Sequence, residues 1–226
     1  MERIFLDYKF SLFGDFSNAQ NDLTGFLASL QEPFTRRLES RMAGAMIVPV
    51  YIFESPNHII FLSNDRIDFV IKNNYSSSLA AFMSFVNATK NYYSSFTRLA
   101  FNTTFFFENS DTKVLIDRFV VNPKELSFDG SKEFLVRNNY ASKKGSLDFN
   151  NIITIGTDEI INKETFVKMR VILFSIDINN VPVDLSSNII AINELTTYFE
   201  YMTDNFNRLS GFVLSFLTEG GNNGIN

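Results

Sequence analysis

Cysteine and tryptophan are absent from the 226 residues, and histidine occurs once. The missing cysteines exclude disulfides, thiolate metal sites and cysteine nucleophiles together. With His58 alone, a histidine-rich zinc site within the chain is excluded as well. A nucleophilic triad would have only this residue as its usual base. It stands at the start of a strand after a turn, with no partner among its sequence neighbours, and reads as structural. Phosphate-cradling glycine loops are missing too: the Gly-rich piece is the tail TEGGNNGIN, not a strand-to-helix turn. The stretch DINNVPVD lacks the central glycine and the closing glutamate of an EF-hand. No metal site and no cofactor are expected.

Basic charge is also in short supply. Twenty Lys and Arg face 25 Asp and Glu, a formal net charge of -5. Phosphate neutralisation supplies most non-specific nucleic-acid binding, so this balance argues against such a role. The basic clusters, Arg36-Arg37 with Arg41 and Lys143-Lys144 with Lys132, read as solvated surface. No run of about 18 apolar residues is present, so no membrane-spanning helix is expected. The start MERIFLDYKFSLFGDF lacks the basic, apolar and small-residue segments of a signal peptide, which points to a cytoplasmic location. The glycosylation-type sequons at Asn74, Asn87 and Asn102 are then read as chance.

What the chain has in excess is phenylalanine, 26 residues beside 8 tyrosines. Phe offers large apolar area without a polar handle, so the excess implies a large core or a buried contact surface. A chain of this length buries roughly 70–75% of the surface its unfolded form exposes and needs no staples.

The pattern along the chain predicts an α+β fold: two antiparallel strand meanders, each followed by a long helix packed on the sheet. The repeat raises an internal duplication that no residue-level match supports. A first strand, from Leu6 to Leu12, leads to a helix over 18–31 capped by Ser17. Pro33 ends it, and PFTRRLES reads as a turn or short helix. MIVPVYIF (46–53), HIIFLS (58–63) and RIDFVIK (66–72) read as strands, the last two joined by the Asn64-Asp65 turn. Pro49 makes the first of these an edge strand or a bulge. A helix over 77–94 has the stripe Leu79, Phe82, Met83, Val86 and Tyr93. FTRLAFNTTFFFENS (96–110) is a strand, and KVLIDRFVV (113–121) a strand or helical turn. The loop 122–132 divides an N-terminal half, 1–121, from a C-terminal half, 133–217; a single domain is the other reading. Three further strands, within 133–141, 147–156 and 165–178, precede a helix over 189–217. Residues 218–226 read as a disordered tail.

That last helix carries Leu195, Phe199, Met202, Phe206, Leu209, Val213 and Phe216 at alternating spacings of four and three. Two readings fit: a long helix lying across a sheet, or a helix-helix seam between copies of the chain. The favoured one is the helix on the sheet, because Phe suits a regular coiled coil poorly.

The strand 96–110 places Arg98 and Asn102 on one face, about 13 Å apart, with Leu99, Phe101, Phe105 and Phe107 on the other. The polar face reads either as the wet side of an antiparallel sheet or as a surface for an extended ligand. An arginine packed between layers needs an acidic partner, and Asp68 on a neighbouring strand is the candidate. Among the carboxylate pairs close in sequence (Asp65 and Asp68, Asp158 and Glu159, Asp177 and Asp184), Asp177 is the weak catalytic candidate, since it closes the apolar run VILFSI.

The residues FLSNDRIDFVIKNNY (61–75) and TRLAF (97–101), with RVILFSIDI and the long helix in kind, resemble a sporadically distributed, uncharacterised prokaryotic protein family. That family's strand continues with a second arginine and an aromatic where Asn102 and Thr103 stand here. The resemblance implies no activity, and its patchy distribution implies an accessory role in defence or mobile-element biology.

The leading expectation is a non-enzymatic protein-binding or assembly subunit, acting through a protein partner or self-association and using Arg98, Asn102 and Asp68. One alternative is a carboxylate-based enzyme, with or without a metal, in which Asp177 is the first suspect. Another is a nucleic-acid-associated protein using Arg36, Arg37, Arg41 and Arg98.

Overall fold

The computed structural model describes residues 3–30, 32–43, 46–72, 78–108, 135–161, 168–181 and 189–218. The expectations for 113–121, 122–132 and the tail beyond Thr218 lie outside these residues, as do Lys132 and Asp184.

Among the described residues ten strands form one antiparallel sheet. In chain order they are β1 (Arg3–Gly14), β2 (Thr35–Ala43), β3 (Met46–Glu54), β4 (His58–Leu62), β5 (Arg66–Ile71), β6 (Ser95–Glu108), β7 (Leu135–Lys144), β8 (Leu147–Ile161), β9 (Lys168–Asn180) and β10 (Ile190–Ala191). The spatial order is β2-β3-β4-β5-β1-β6-β9-β8-β7, with β10 on the end of β6. The helices are α1 (Ser17–Asn21), α2 (Leu23–Ser29), α3 (Ser78–Thr89) and α4 (Leu195–Thr218).

This corrects the expected pair of meander-plus-long-helix units. Among the described helices only α4 is long, 24 residues or about 36 Å. Helix α3 has 12 residues: Thr89 Oγ1 turns back onto the carbonyl of Phe85 at 2.8 Å, and the chain passes through a 3-10 turn at Lys90–Tyr92. The strands do not separate into two sheets. Strand β6 is hydrogen-bonded to β1 on one side and to β9 on the other, from Ala100–Asn179 to Glu108–Val171. Its backbone groups are therefore satisfied by strands from both ends of the sequence.

The expected helix over 18–31 is broken. Asp22 leaves helical geometry and its carboxylate accepts the N–H of Gly25 at 2.9 Å, capping a second helix. PFTRRLES contributes to strand β2 rather than to a turn or helix. Period two puts Arg37, Glu39 and Arg41 on one side, where Glu39 lies 3.4 Å from Arg37 and 3.5 Å from Arg41. Pro49 sits in β3 opposite Ser40, where β4 no longer runs alongside, so its missing N–H interrupts no ladder.

The helices cover one face of the sheet. Phe82 of α3 stacks on Phe10 of β1 at 4.5 Å and meets Phe199 of α4 edge-on at 4.8 Å. Phe206 of α4 meets Phe101 of β6 edge-on at 5.5 Å, and Phe26 of α2 lies against Phe53 of β3. Each such pair adds about 0.5–1.5 kcal/mol to the burial itself. Fifteen of the phenylalanines thus belong to one buried hydrophobic cluster. Leu195, Phe199, Met202, Phe206, Leu209 and Val213 are all buried in it. The seam is filled within the chain, not left for a second copy; the side chain of Phe216 lies outside those described.

Candidate functional site

The opposite face of the sheet carries no helix among the described residues, and strand register decides what gathers there. Phe13 of β1 stands opposite Arg66 of β5 on one side and Arg98 of β6 on the other. Both guanidinium groups lie over its ring, at 4.8 and 5.1 Å from the centroid. Such stacking holds a cation against an apolar surface without neutralising it.

The two arginines differ in their partners. Arg66 Nε donates to Asp68 Oδ1 at 2.7 Å, and Ser11 Oγ donates to the same oxygen at 2.6 Å. Arg66 also reaches Ser11 Oγ at 3.4 Å, closing a three-membered network. Ser11 is buried and Asp68 nearly so. Asp68 therefore serves Arg66, two residues away on its own strand, and not Arg98 as the sequence suggested. Arg98 has no carboxylate within ion-pair distance among the described residues, and its buried Nε has no hydrogen-bond partner there.

Asn102 lies two rows further along the same face. It stands opposite Lys9 of β1 and Asp177 of β9. Asp177 in turn opposes Ile152. The sequence reading put Asp177 at the end of a strand, but β9 runs on to Asn180 and pairs on both sides. No carboxylate directly opposes Asp177. No group of three or more His, Asp or Glu side chains gathers as metal ligands would among the described residues. Arg98, Asn102 and Asp68 thus share one face with Asp177, and none of them adjoins a carboxylate pair.

Asp7, next to this row, is partly buried, and desolvation holds its carboxyl above the usual aspartate range against the smaller pull of Lys9. The arginines proposed for nucleic acid do not join this face as one patch. Arg37 and Arg41 sit on β2, five strands from β6, about 24 Å away, and both are bridged to Glu39.

A second feature escaped the sequence. His58 Nδ1 is hydrogen-bonded to the carboxylate of Glu32, 26 positions earlier. The pair lines a cleft of about 260 Å³ against α3. No spacing rule links these residues, because the contact is made by the path of the chain between α2 and β2.

Comparison with protein-family models and with curated proteins returned no match, so function rests on this geometry. No helix among the described residues is long and apolar enough to cross a membrane.

Proposed function

We propose that this chain is a non-enzymatic protein-binding subunit whose contact surface is the face of the sheet around Arg98, which bears no helix among the described residues. The observation that carries this reading is the pairing difference between the two arginines on Phe13. The Arg66 network is complete within the chain, whereas the Arg98 guanidinium is held in place with its charge unmatched among the described residues. A half-buried guanidinium loses hydration and gains most from a carboxylate that meets it in a fixed, planar geometry. The partner is accordingly a protein that presents an Asp or Glu side chain to Arg98. Asn102, about 13 Å along the strand, contacts a second point of the same partner. The filled α4 seam supports the choice of face, because the other side of the sheet is already occupied by the chain's own helices.

Native mass spectrometry of gently purified protein tests this, comparing wild type with Arg98→Glu. The expected result is a stoichiometric partner, heterologous or a second copy, lost in the variant while its melting temperature is retained. A bare wild-type monomer, or equal retention by the variant, overturns the reading.

A further inference from the structure

The cleft beside α3 is independent of the Arg98 face. Its volume is about 260 Å³. It lies just below the range of about 300–1,000 Å³ typical of drug-sized ligands, so it has room for a fragment-sized molecule only.

The walls are mostly apolar and aromatic. The imidazole of His58 stacks on Phe69 at 5.0 Å, and Phe69 stacks on Phe85 at 4.8 Å, with interplanar angles of 29° and 27°. Phe34 and Ser84 complete the lining relevant here. Such a wall favours a flat ring. The polar groups are few: Glu32, His58 and the Ser84 hydroxyl.

Glu32 decides the sense of the hydrogen bond. A carboxylate only accepts, so Nδ1 carries the hydrogen of this bond, and the uncharged tautomer of the ring is the one that leaves Nε2 as an acceptor. No donor among the described residues meets Nε2. A ligand hydroxyl can. We propose that this cleft is a binding site for a small phenol-class molecule, its ring against the aromatic wall and its hydroxyl donating to His58 Nε2.

Because the chain holds one histidine, each imidazole nitrogen gives a single resonance in a long-range proton–nitrogen correlation spectrum. Titration of the full chain with 4-methylphenol is expected to shift the Nε2 signal saturably, with a Kd of about 1 mM or tighter. 4-Methylanisole, which keeps the ring but lacks the donor, is expected to bind about tenfold more weakly, the value of one hydrogen bond. Glu32→Gln, whose amide can donate to Nδ1 and so reverse the tautomer, is expected to lose that preference. Ala88→Leu, which narrows the cleft, is expected to abolish the shift with thermal unfolding unchanged. No saturable shift in wild type overturns the site. Equal binding of the two probes overturns the role of Nε2, and undiminished binding to Ala88→Leu places the ligand elsewhere.

Discussion

The side-chain carbonyl of Asn180 accepts the backbone N–H of Leu99 at 2.6 Å, across 81 positions of sequence. The regular ladder between β6 and β9 ends at Ala100 and Asn179. The amide of Asn180 therefore supplies one further rung, between that ladder and the short pairing of β6 with β10 at Phe96 and Ile190. Asn180 is fully buried, so no water replaces it. Asn180→Ala leaves a buried donor unpaired and costs about 1–3 kcal/mol. At about 2–4 °C per kcal/mol for a chain of this size, the melting temperature falls by roughly 2–12 °C. An unchanged melting curve would mean that the rung contributes nothing.

Phe82 bridges sheet and long helix through its contacts with Phe10 and Phe199. Phe82→Ala is expected to cost about 3–5 kcal/mol, read as a lower denaturant midpoint. Leu38→Ser, at a side chain 60% exposed on the edge strand, should stay within about 0.5 kcal/mol of wild type. Equal losses at the two positions would contradict the placement of the core.

Gly145 turns β7 into β8 with φ of +59°. An added Cβ would meet Tyr198 at ordinary distances, its hydroxyl at 3.5 Å and its ring at 4.0 Å, so the cost of Gly145→Ala is backbone strain. About 1–2 kcal/mol is expected, measured by chemical denaturation. Gly145→Asn, which tolerates this region better, should recover part of it.

Asp7 gives a pH signature. Its carboxyl is raised by desolvation, so the folded state holds that proton to higher pH than the unfolded chain does. The stability linked to this group is fully present below the unfolded value, about 3.9, and is lost as pH rises through the folded one. Asp7→Asn removes the buried charge and is expected to melt higher than wild type at pH 7. The difference should vanish near pH 3, and a variant that melts lower at pH 7 would reverse the sign of this argument.

Period two within single strands was legible: it placed Arg98 and Asn102 on one side of β6 and the phenylalanines on the other. The Arg66–Asp68 contact was legible in principle as well, since residues two apart on a strand share a face. Strand order was not. Nothing local to β1 indicates that both its neighbours, β5 and β6, come later in the chain, because periodicity fixes a face and not a partner. Strand β2 was missed because it is an edge: one face is Arg37, Glu39 and Arg41, and the other mixes Arg36 and Ser40 with the exposed Leu38 and Met42, which gives no clear alternation to read. The His58–Glu32 pair was missed for a related reason: tertiary contact alone brings it together.

The two outer strands of the sheet, β2 and β7, are both mostly exposed. Strand β2 bears Arg36, Arg37 and Arg41 against Glu39, and β7 bears Arg137, Lys143 and Lys144 with no acid. If one molecule offered β2 to another's β7, cation would meet cation along the joint. An open ladder that could grow without limit thus has ends that repel each other. This guard works through charge and reaches only about 8–10 Å in physiological salt. Concentrated salt would weaken it, so end-to-end polymerisation should become easier as ionic strength rises, the reverse of what holds for an assembly cemented by ion pairs.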